Sequence, residues 1–284
     1  MKAVVINPVT WKLEITELNI PEPKAKEVIV KITYASINHH ELWTLLEKNC
    51  TLRESHVFGS DGVGIVSAVG TGVDKDWLDK RVTINPSLNW GNNEKVQGEN
   101  YEILGDERQG TFAEYIAIPV RNIVETPAYL SDQEAAAVPL AGLTAFRGLF
   151  TRGGLCIEDN VLITGIGGGV AIMALLFCDA LGAKAYVTSS SGEKMEKALE
   201  YGSLGGGNYT HEKWMNALKL HSGKFDLIFD SAGGPDFGRY LELLNPAGRL
   251  VNCGRTAGAA DSLNTKELFW KQLSILGTTM GSER

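Results

Sequence analysis

The chain contains no Cys-x-x-Cys pair; its four cysteines stand singly at positions 50, 156, 178 and 253. That spacing suggests neither a zinc site nor a disulfide framework, and a reducing cytoplasm is the expected location. No apolar run approaches the ~18 residues that a membrane span requires. Basic residues are not in excess. Lys and Arg number 27 against 34 Asp and Glu, a net charge of −7, and no basic cluster overrides it, so nucleic acid is not expected as a partner. The opening Met1–Pro8 turns polar too soon to read as a signal peptide. Internal repeats and low-complexity segments are also lacking. What is present is 284 residues, 44% hydrophobic and 21% charged, enough for two domains or one large one with a sizeable core.

The most informative run is Val161-Leu162-Ile163-Thr164-Gly165-Ile166-Gly167-Gly168-Gly169-Val170-Ala171. It reads as a short strand, a glycine turn and the start of an apolar helix. A glycine-rich turn alone is an ordinary feature. Between a strand and a helix it is the setting in which backbone N–H groups and a helix N-terminus meet a pyrophosphate. Gly165, Gly167, Gly168, Gly169 and Val170 are therefore the expected dinucleotide-binding residues. The next strand, Ala183–Ser189, ends in Ser189-Ser190-Ser191-Gly192-Glu193-Lys194. An NAD site keeps a carboxylate at that place for the ribose 2′-hydroxyl. Here Ser189, Ser190 and Ser191 offer hydroxyls and Lys194 a positive charge, a set suited to a 2′-phosphate, and NADPH (NADP+) is the expected cofactor. The competing reading is that these residues only cap and solvate the next helix.

Residues 1 to about 120 carry short β-branched runs separated by Pro and Gly, with one helix expected over Asn38–Leu46 and a long polar loop over Pro86–Asp106. From Ser131-Asp132-Gln133-Glu134, a capping-box pattern, strands and helices alternate, which predicts a parallel sheet covered on both faces. The fold class is α/β: a β-rich domain over 1–125 and a dinucleotide-binding domain over 126–284.

Four further runs carry a family resemblance: Gly59-Ser60-Asp61-Gly62-Val63-Gly64-Ile65-Val66 with Val69-Gly70, Gly110-Thr111-Phe112-Ala113-Glu114-Tyr115, Pro139-Leu140-Ala141-Gly142-Leu143-Thr144-Ala145, and Asp230-Ser231-Ala232-Gly233-Gly234. With these the chain resembles, nearly end to end, the medium-chain dehydrogenase/reductase superfamily on its quinone-oxidoreductase-like side. Asn85–Trp90 is similar to an alcohol-dehydrogenase-like branch. The resemblance implies a GroES-like catalytic domain, a Rossmann doubly wound parallel sheet, and an active site between them. Such chains run on for several tens of residues beyond the sixth Rossmann strand, so the closing segment of the first domain is expected to be absent here.

In zinc members of the family the catalytic ligands fall at positions matched by Asn38, Ser60 and Ala141, none of which suits zinc, so no metal is expected. His39, His40 and His56 invite a metal reading, but neighbours on a helix diverge by about 100°. The resemblance implies instead that His39 lies near the cofactor phosphates and that His40 relays a proton to the substrate oxygen. Asn38 could donate an amide N–H to a developing oxyanion or serve as a helix cap. Thr144, Cys253 and Gly254 match positions around the nicotinamide, and Tyr209 one near the adenosine 2′-phosphate. Tyr34 and Trp90 could line the substrate cleft or simply pack. The expected activity is zinc-independent reduction of quinones, enones or small carbonyl compounds by NADPH. The alternative is an NADPH-binding protein with little turnover, crystallin-like or a truncated fragment. The apolar run Leu273–Thr279 reads as an edge strand that pairs with a second copy in a homodimer.

Overall fold

A computed structural model gives the structure of the protein and describes residues 1–48, 55–106 and 108–282; Cys50 lies outside them. The chain forms two units: Met1–Ala141 with Gly281 and Ser282, and Gly142–Met280.

The first unit contains β1 (Lys2–Ile6), β2 (Leu13–Glu17), β3 (Glu27–Ser36), α1 (His39–Glu47), β4 (His56–Val57), β5 (Asp61–Val69), β6 (Arg81–Ile84), β7 (Ser87–Leu88), β8 (Glu102–Ile103), β9 (Tyr115–Pro119), β10 (Ile123–Glu125) and α2 (Asp132–Ala137). Five strands make an antiparallel sheet in the order β10-β6-β5-β3-β9, and three more make a smaller one, β2-β1-β4. Alternation explains the core of the larger sheet. In β9 only Ile116 and Ile118 are buried, and they join Val28, Val30, Val66 and Val82. The register pairs Ser36 of β3 with Asp61 of β5, which brings the start of α1 beside the start of β5. The 86–106 segment is a loop apart from the two-residue ladder of β7 with β8. The division into units falls after Ala141 and not at the expected 125/126. Helix α2 stays with the first unit because Ala135 and Ala136 pack on Val63 and Asp132 accepts bonds from Thr33 and Arg81.

Helix α3 (Pro139–Phe146) runs into a π-helical turn, Arg147–Arg152. Then follow β11 (Asn160–Ile163), α4 (Gly169–Leu181), β12 (Lys184–Ser189), α5 (Gly192–Glu200), β13 (Gly206–Asn208), α6 (Trp214–Ser222), β14 (Phe225–Asp230), α7 (Tyr240–Leu243), β15 (Leu244–Asn252), α8 (Thr265–Trp270) and β16 (Ser274–Gly277). The six strands form one parallel sheet, β13-β12-β11-β14-β15-β16. The order reverses between β11 and β14, where a doubly wound sheet opens a crevice at its strand ends. Period-two alternation serves both faces. Val161 and Ile163 pack with Ala174, Leu175 and Cys178 of α4, while Leu162 and Ile228 pack with Trp214, Leu218 and Leu241. Between β14 and β15 the helical segment is only a 3-10 turn, Phe237–Arg239, and the single turn α7. Asn245-Pro246 follows directly, and proline pushes the residue before it out of helical geometry. Among the described residues no helix is long and apolar enough to cross a membrane.

Candidate active site

In the second unit the cradle is made by backbone. The turn after β11 is tied to β12: Gly165 N donates to Thr188 Oγ1 at 3.1 Å and Ile166 N to Thr188 O at 2.8 Å. Gly165 and Gly167 have φ of +68° and +117°, values that side-chain-bearing residues rarely adopt. Gly168 is the N-cap of α4 and no side chain caps that helix. The N–H groups of Gly169 and Val170 therefore stand in an uncapped first turn, as an anion requires, while the Val170 side chain packs on the core.

The end of β12 brings the expected 2′-phosphate residues together. Ser189 is buried and its Oγ accepts from Ser191 N at 3.1 Å; Ser191 Oγ caps α5 through Lys194 N at 3.3 Å. The capping role is seen directly, and it leaves the Ser190 hydroxyl and the exposed Lys194 side chain outside the cap. Pairing of β13 with β12 sets Tyr209 N 3.2 Å from Ser189 O and Asn208 Nδ2 3.4 Å from Ser190 O, and leaves the Tyr209 ring half exposed. The Lys194 side chain lies over the glycine turn, where a Cβ on Gly167 would stand 2.8 Å from Lys194 Cδ and 3.2 Å from Nζ. Ile166, Gly167, Lys194, Lys197 and Tyr201 line one cavity there. Lys197, one turn beyond Lys194 on α5, is a second cation that the sequence reading passed over. Glu193 is exposed. Glycines that need positive φ, an uncapped helix N-terminus and a lysine over the turn fit the pyrophosphate of a dinucleotide.

At the ends of β14 and β15 sits a carboxylate not foreseen. Asp230 is fully buried and accepts from Thr164 Oγ1 (2.6 Å), Ala232 N (3.1 Å), Gly233 N (3.0 Å) and Asn252 Nδ2 (2.8 Å). Burial raises its pKa against those four bonds. Asp230 ties the loops after β11 and β14 to the end of β15. Cys253 donates its backbone N–H to Asp230 O at 2.9 Å, and burial pushes its thiol up to about 12, so it is a neutral packing thiol. Gly254 lies so close to the Ser231 backbone that a Cβ would stand 2.6 Å from Ser231 O. Thr144 is buried in α3, its hydroxyl 3.8 Å from Met280 Sδ.

In the first unit the site is made by side chains. Asn38 is the N-cap of α1; its N–H donates to Glu41 Oε2 at 2.5 Å. Glu41 is buried and also accepts from Ser60 N (3.0 Å) and from the Ser60 hydroxyl. Asn38 Nδ2 donates to Asp61 Oδ2 at 3.0 Å and to Ser60 Oγ at 3.3 Å. Both amide hydrogens of Asn38 are thereby used inside the unit, and the donor role toward an oxyanion is not available in this arrangement. Asp61 is fully buried and accepts from Leu140 N at 2.9 Å. Burial pushes its carboxyl up to about 7, opposed by Asn38, Leu140 and Ser36 and aided by the charge of Glu41. The pattern Asn38-x-x-Glu41 is a capping box, a signal that could have found Glu41.

His40 Nε2 lies 2.9 Å from Asp106 Oδ1. Burial disfavours a charged ring here, but the bond and charge of Asp106, with Glu41 beyond, more than offset it, and the pKa lies above the ordinary histidine value. His39 is exposed, and His56 is buried with Nε2 2.9 Å from Gly105 O. Trp90 is a correction: it is 1% exposed, its indole donates to Asn93 O at 3.0 Å, and it stacks edge-on against Tyr101, so it packs the 86–106 loop and offers no cleft surface. Tyr34 remains exposed, its hydroxyl accepting from Gln133 Nε2 at 3.0 Å.

The positions matching zinc ligands do not fit zinc. Asn38 and Ser60 are neutral and bonded to each other, Ala141 has no donor, and the nearby carboxylates Asp61 and Glu41 are saturated by protein donors.

Comparison with known proteins agrees with this layout. Residues 24–128 match the model for the alcohol dehydrogenase GroES-like domain, and residues 169–284 that for zinc-binding dehydrogenases. The zinc-type alcohol dehydrogenase-like protein YogA of Leptosphaeria maculans is 31% identical over 96% of this chain and 81% of its own. Acryloyl-coenzyme A reductase of Sulfurisphaera tokodaii is 28% identical over 100% of this chain and 86% of its own. Among solved structures, an NAD-dependent alcohol dehydrogenase superposes with a TM-score of 0.92 at 35% identity, covering 100% of this chain and 86% of its own.

Proposed function

The chain is an oxidoreductase of the medium-chain dehydrogenase/reductase superfamily, and from that premise we propose that it uses NADPH, without zinc, to reduce quinones, enones or small carbonyl compounds. The observation that carries the cofactor choice is the end of β12. Three serines and Lys194 stand there, Lys194 over Gly167, and no carboxylate occupies the place that would hold a 2′-hydroxyl. The bound dinucleotide supplies the hydride. This chain's own residues hold its phosphates on the Gly165–Val170 backbone, anchor the loops around the nicotinamide through Asp230, and deliver the matching proton from His40. Asn38 and Ser60 stand where zinc ligands would, and burial pushes the neighbouring Asp61 carboxyl up to about 7, a setting that favours chemistry in which a proton replaces a metal as the electrophile. The likeness to an acryloyl-coenzyme A reductase supports including activated double bonds among the substrates. Three free thiols, Cys156, Cys178 and Cys253, suit a cytoplasmic setting.

Fluorescence titration with NADPH and NADH, followed by absorbance at 340 nm with quinones, enones and aldehydes, tests this reading. The expected outcome is tighter NADPH binding and turnover that survives chelators, with no stoichiometric zinc by elemental analysis. Preference for NADH overturns the cofactor assignment, and binding without turnover leaves only a dinucleotide-binding protein.

A small-molecule substrate is one partner; a second copy of the chain is the other. Strand β16 closes one edge of the parallel sheet, with Ile275 and Leu276 only half buried and Phe269 and Trp270 of α8 exposed. An apolar edge of this kind is completed by its twofold mate. Ile275→Lys should convert a dimer to monomer or aggregate by light scattering, and a clean monomer for the parent chain at micromolar concentration removes the proposal.

A further inference from the structure

We propose that Asp106 is the positioning residue for His40, fixing Nε2 as the ring nitrogen that keeps its hydrogen and Nδ1 as the one that hands a proton to the substrate oxygen, an inference that rests on the reductase reading above. His40 is four residues from Thr44 on α1, so the imidazole and the Thr44 hydroxyl share one helix face. Both reach the same oxygen, Asp106 Oδ1, at 2.9 Å and 3.4 Å. A carboxylate accepts; it does not compete with the ring as a donor. The ring nitrogen facing it must therefore carry hydrogen in both the neutral and the charged form.

Asp106 is itself held by a built turn. Leu104 is buried and its N–H donates to Pro86 O at 2.9 Å; Asp106 N donates to Ile103 O at 3.1 Å. Gly105 has φ of +91°, a Cβ there would stand 2.6 Å from Gly59 O, and its carbonyl lies 2.9 Å from His56 Nε2. Only glycine fits, so the turn cannot relax and the carboxylate is aimed before substrate arrives. Among the described residues the charged groups facing His40 are Asp106 on this turn and Glu41 on its own helix. Both favour the imidazolium. The His40 and Asp106 side chains are 27% and 22% exposed, so the pair reaches water.

The proton balance is then simple. As a hydride reaches the substrate carbon, the carbonyl π pair moves to oxygen, and that oxygen takes the proton from His40 Nδ1. The ring is left neutral with Nε2–H on Asp106, and a water proton recharges Nδ1 after product leaves. Asp106 only accepts the Nε2 hydrogen bond, and no proton is transferred to or from it in the step.

Asp106→Asn and Asp106→Ala in the full chain test this, read by ring nitrogen and proton NMR titration with His40→Gln to assign the signal. The parent should show the Nε2–H form on deprotonation. Asp106→Asn should lower the His40 pKa by about one unit, tenfold in proton affinity, and keep that tautomer; Asp106→Ala should lose both. The alkaline limb of the NADPH-oxidation profile should move to lower pH by the same amount, and Asp106→Glu should restore it. An unchanged His40 titration in Asp106→Asn, or a limb that does not follow it, overturns the assignment. If no substrate consumes NADPH, the reductase reading fails, while the titration still decides whether Asp106 sets the state of His40.

Discussion

The two units build their candidate sites in opposite ways. In the second, the cradle is backbone: N–H groups of a glycine turn, an uncapped helix start, and loops gathered by Asp230. In the first, it is side chains from distant parts of the chain, with Asn38 bonded to Asp61 and His40 to Asp106. A backbone site depends on conformations that a few residue types permit. A side-chain site depends on every partner being in place, because each buried polar group left alone costs about 1–3 kcal/mol. The contrast predicts that substitutions in the first unit act on stability and protonation together, and that those in the second act on cofactor affinity with the fold intact.

The largest expected effect tests the first half of that contrast. Trp90→Ala should destabilise the first unit by about 3–5 kcal/mol, seen as a lower midpoint in urea, with dinucleotide affinity unchanged. A loss confined to substrate KM would return Trp90 to the cleft. Next is Asp61. Burial pushes its carboxyl up to about 7 in the folded chain, against about 3.9 unfolded. The folded form therefore binds the extra proton in that window, and this residue's contribution to stability falls as pH rises from about 4 to about 7. Asp61→Asn should remove that slope, a difference on the order of a few kcal/mol, measured by urea titrations across the window. A slope equal to the parent's would show that Asp61 is ionised in both states.

The second half is tested in the glycine turn. Gly167→Val places a branched side chain at φ +117° against Lys194. It should weaken dinucleotide binding about thirtyfold, about 2 kcal/mol, for both nucleotides, with only a modest fall in the unfolding midpoint from the strained turn. The smallest effect is the most selective. Lys194→Ala should weaken NADPH about tenfold, about 1.4 kcal/mol, and leave NADH nearly unaltered. Equal losses for both would make Lys194 a general phosphate contact and leave the 2′-phosphate without its cation.

The same contrast decides what could be read from the sequence. The strand-turn-helix over 161–181 and the strand 184–189 were legible because periodicity and glycine placement are local. So was the capping box at Ser131, whose hydroxyl accepts from Glu134 N. Strand β13 was not, because Gly206-Gly207-Asn208 has no strand propensity and forms only by pairing with β12. Asp106 was read as the end of a loop, since nothing local links it to a histidine 66 residues away. Asp230 is visible as part of a motif, but its role comes from four donors gathered at the ends of β11, β14 and β15. Asn38 shows the converse limit: the sequence offers it as a helix cap or an amide donor, and only the structure shows where its hydrogens go.

One pair of bonds reaches further than these. Ser87 Oγ donates to Gly281 O across 194 residues, and Ser282 Oγ to Glu94 Oε2 across 188. During synthesis the loop that carries Ser87 and Glu94 leaves the ribosome long before its partners exist. At roughly 5–20 residues per second it waits on the order of ten seconds or more, while the whole dinucleotide-binding unit is made. The first unit must persist for that interval without the two bonds that Gly281 and Ser282 bring to the Ser87 hydroxyl and the Glu94 carboxylate.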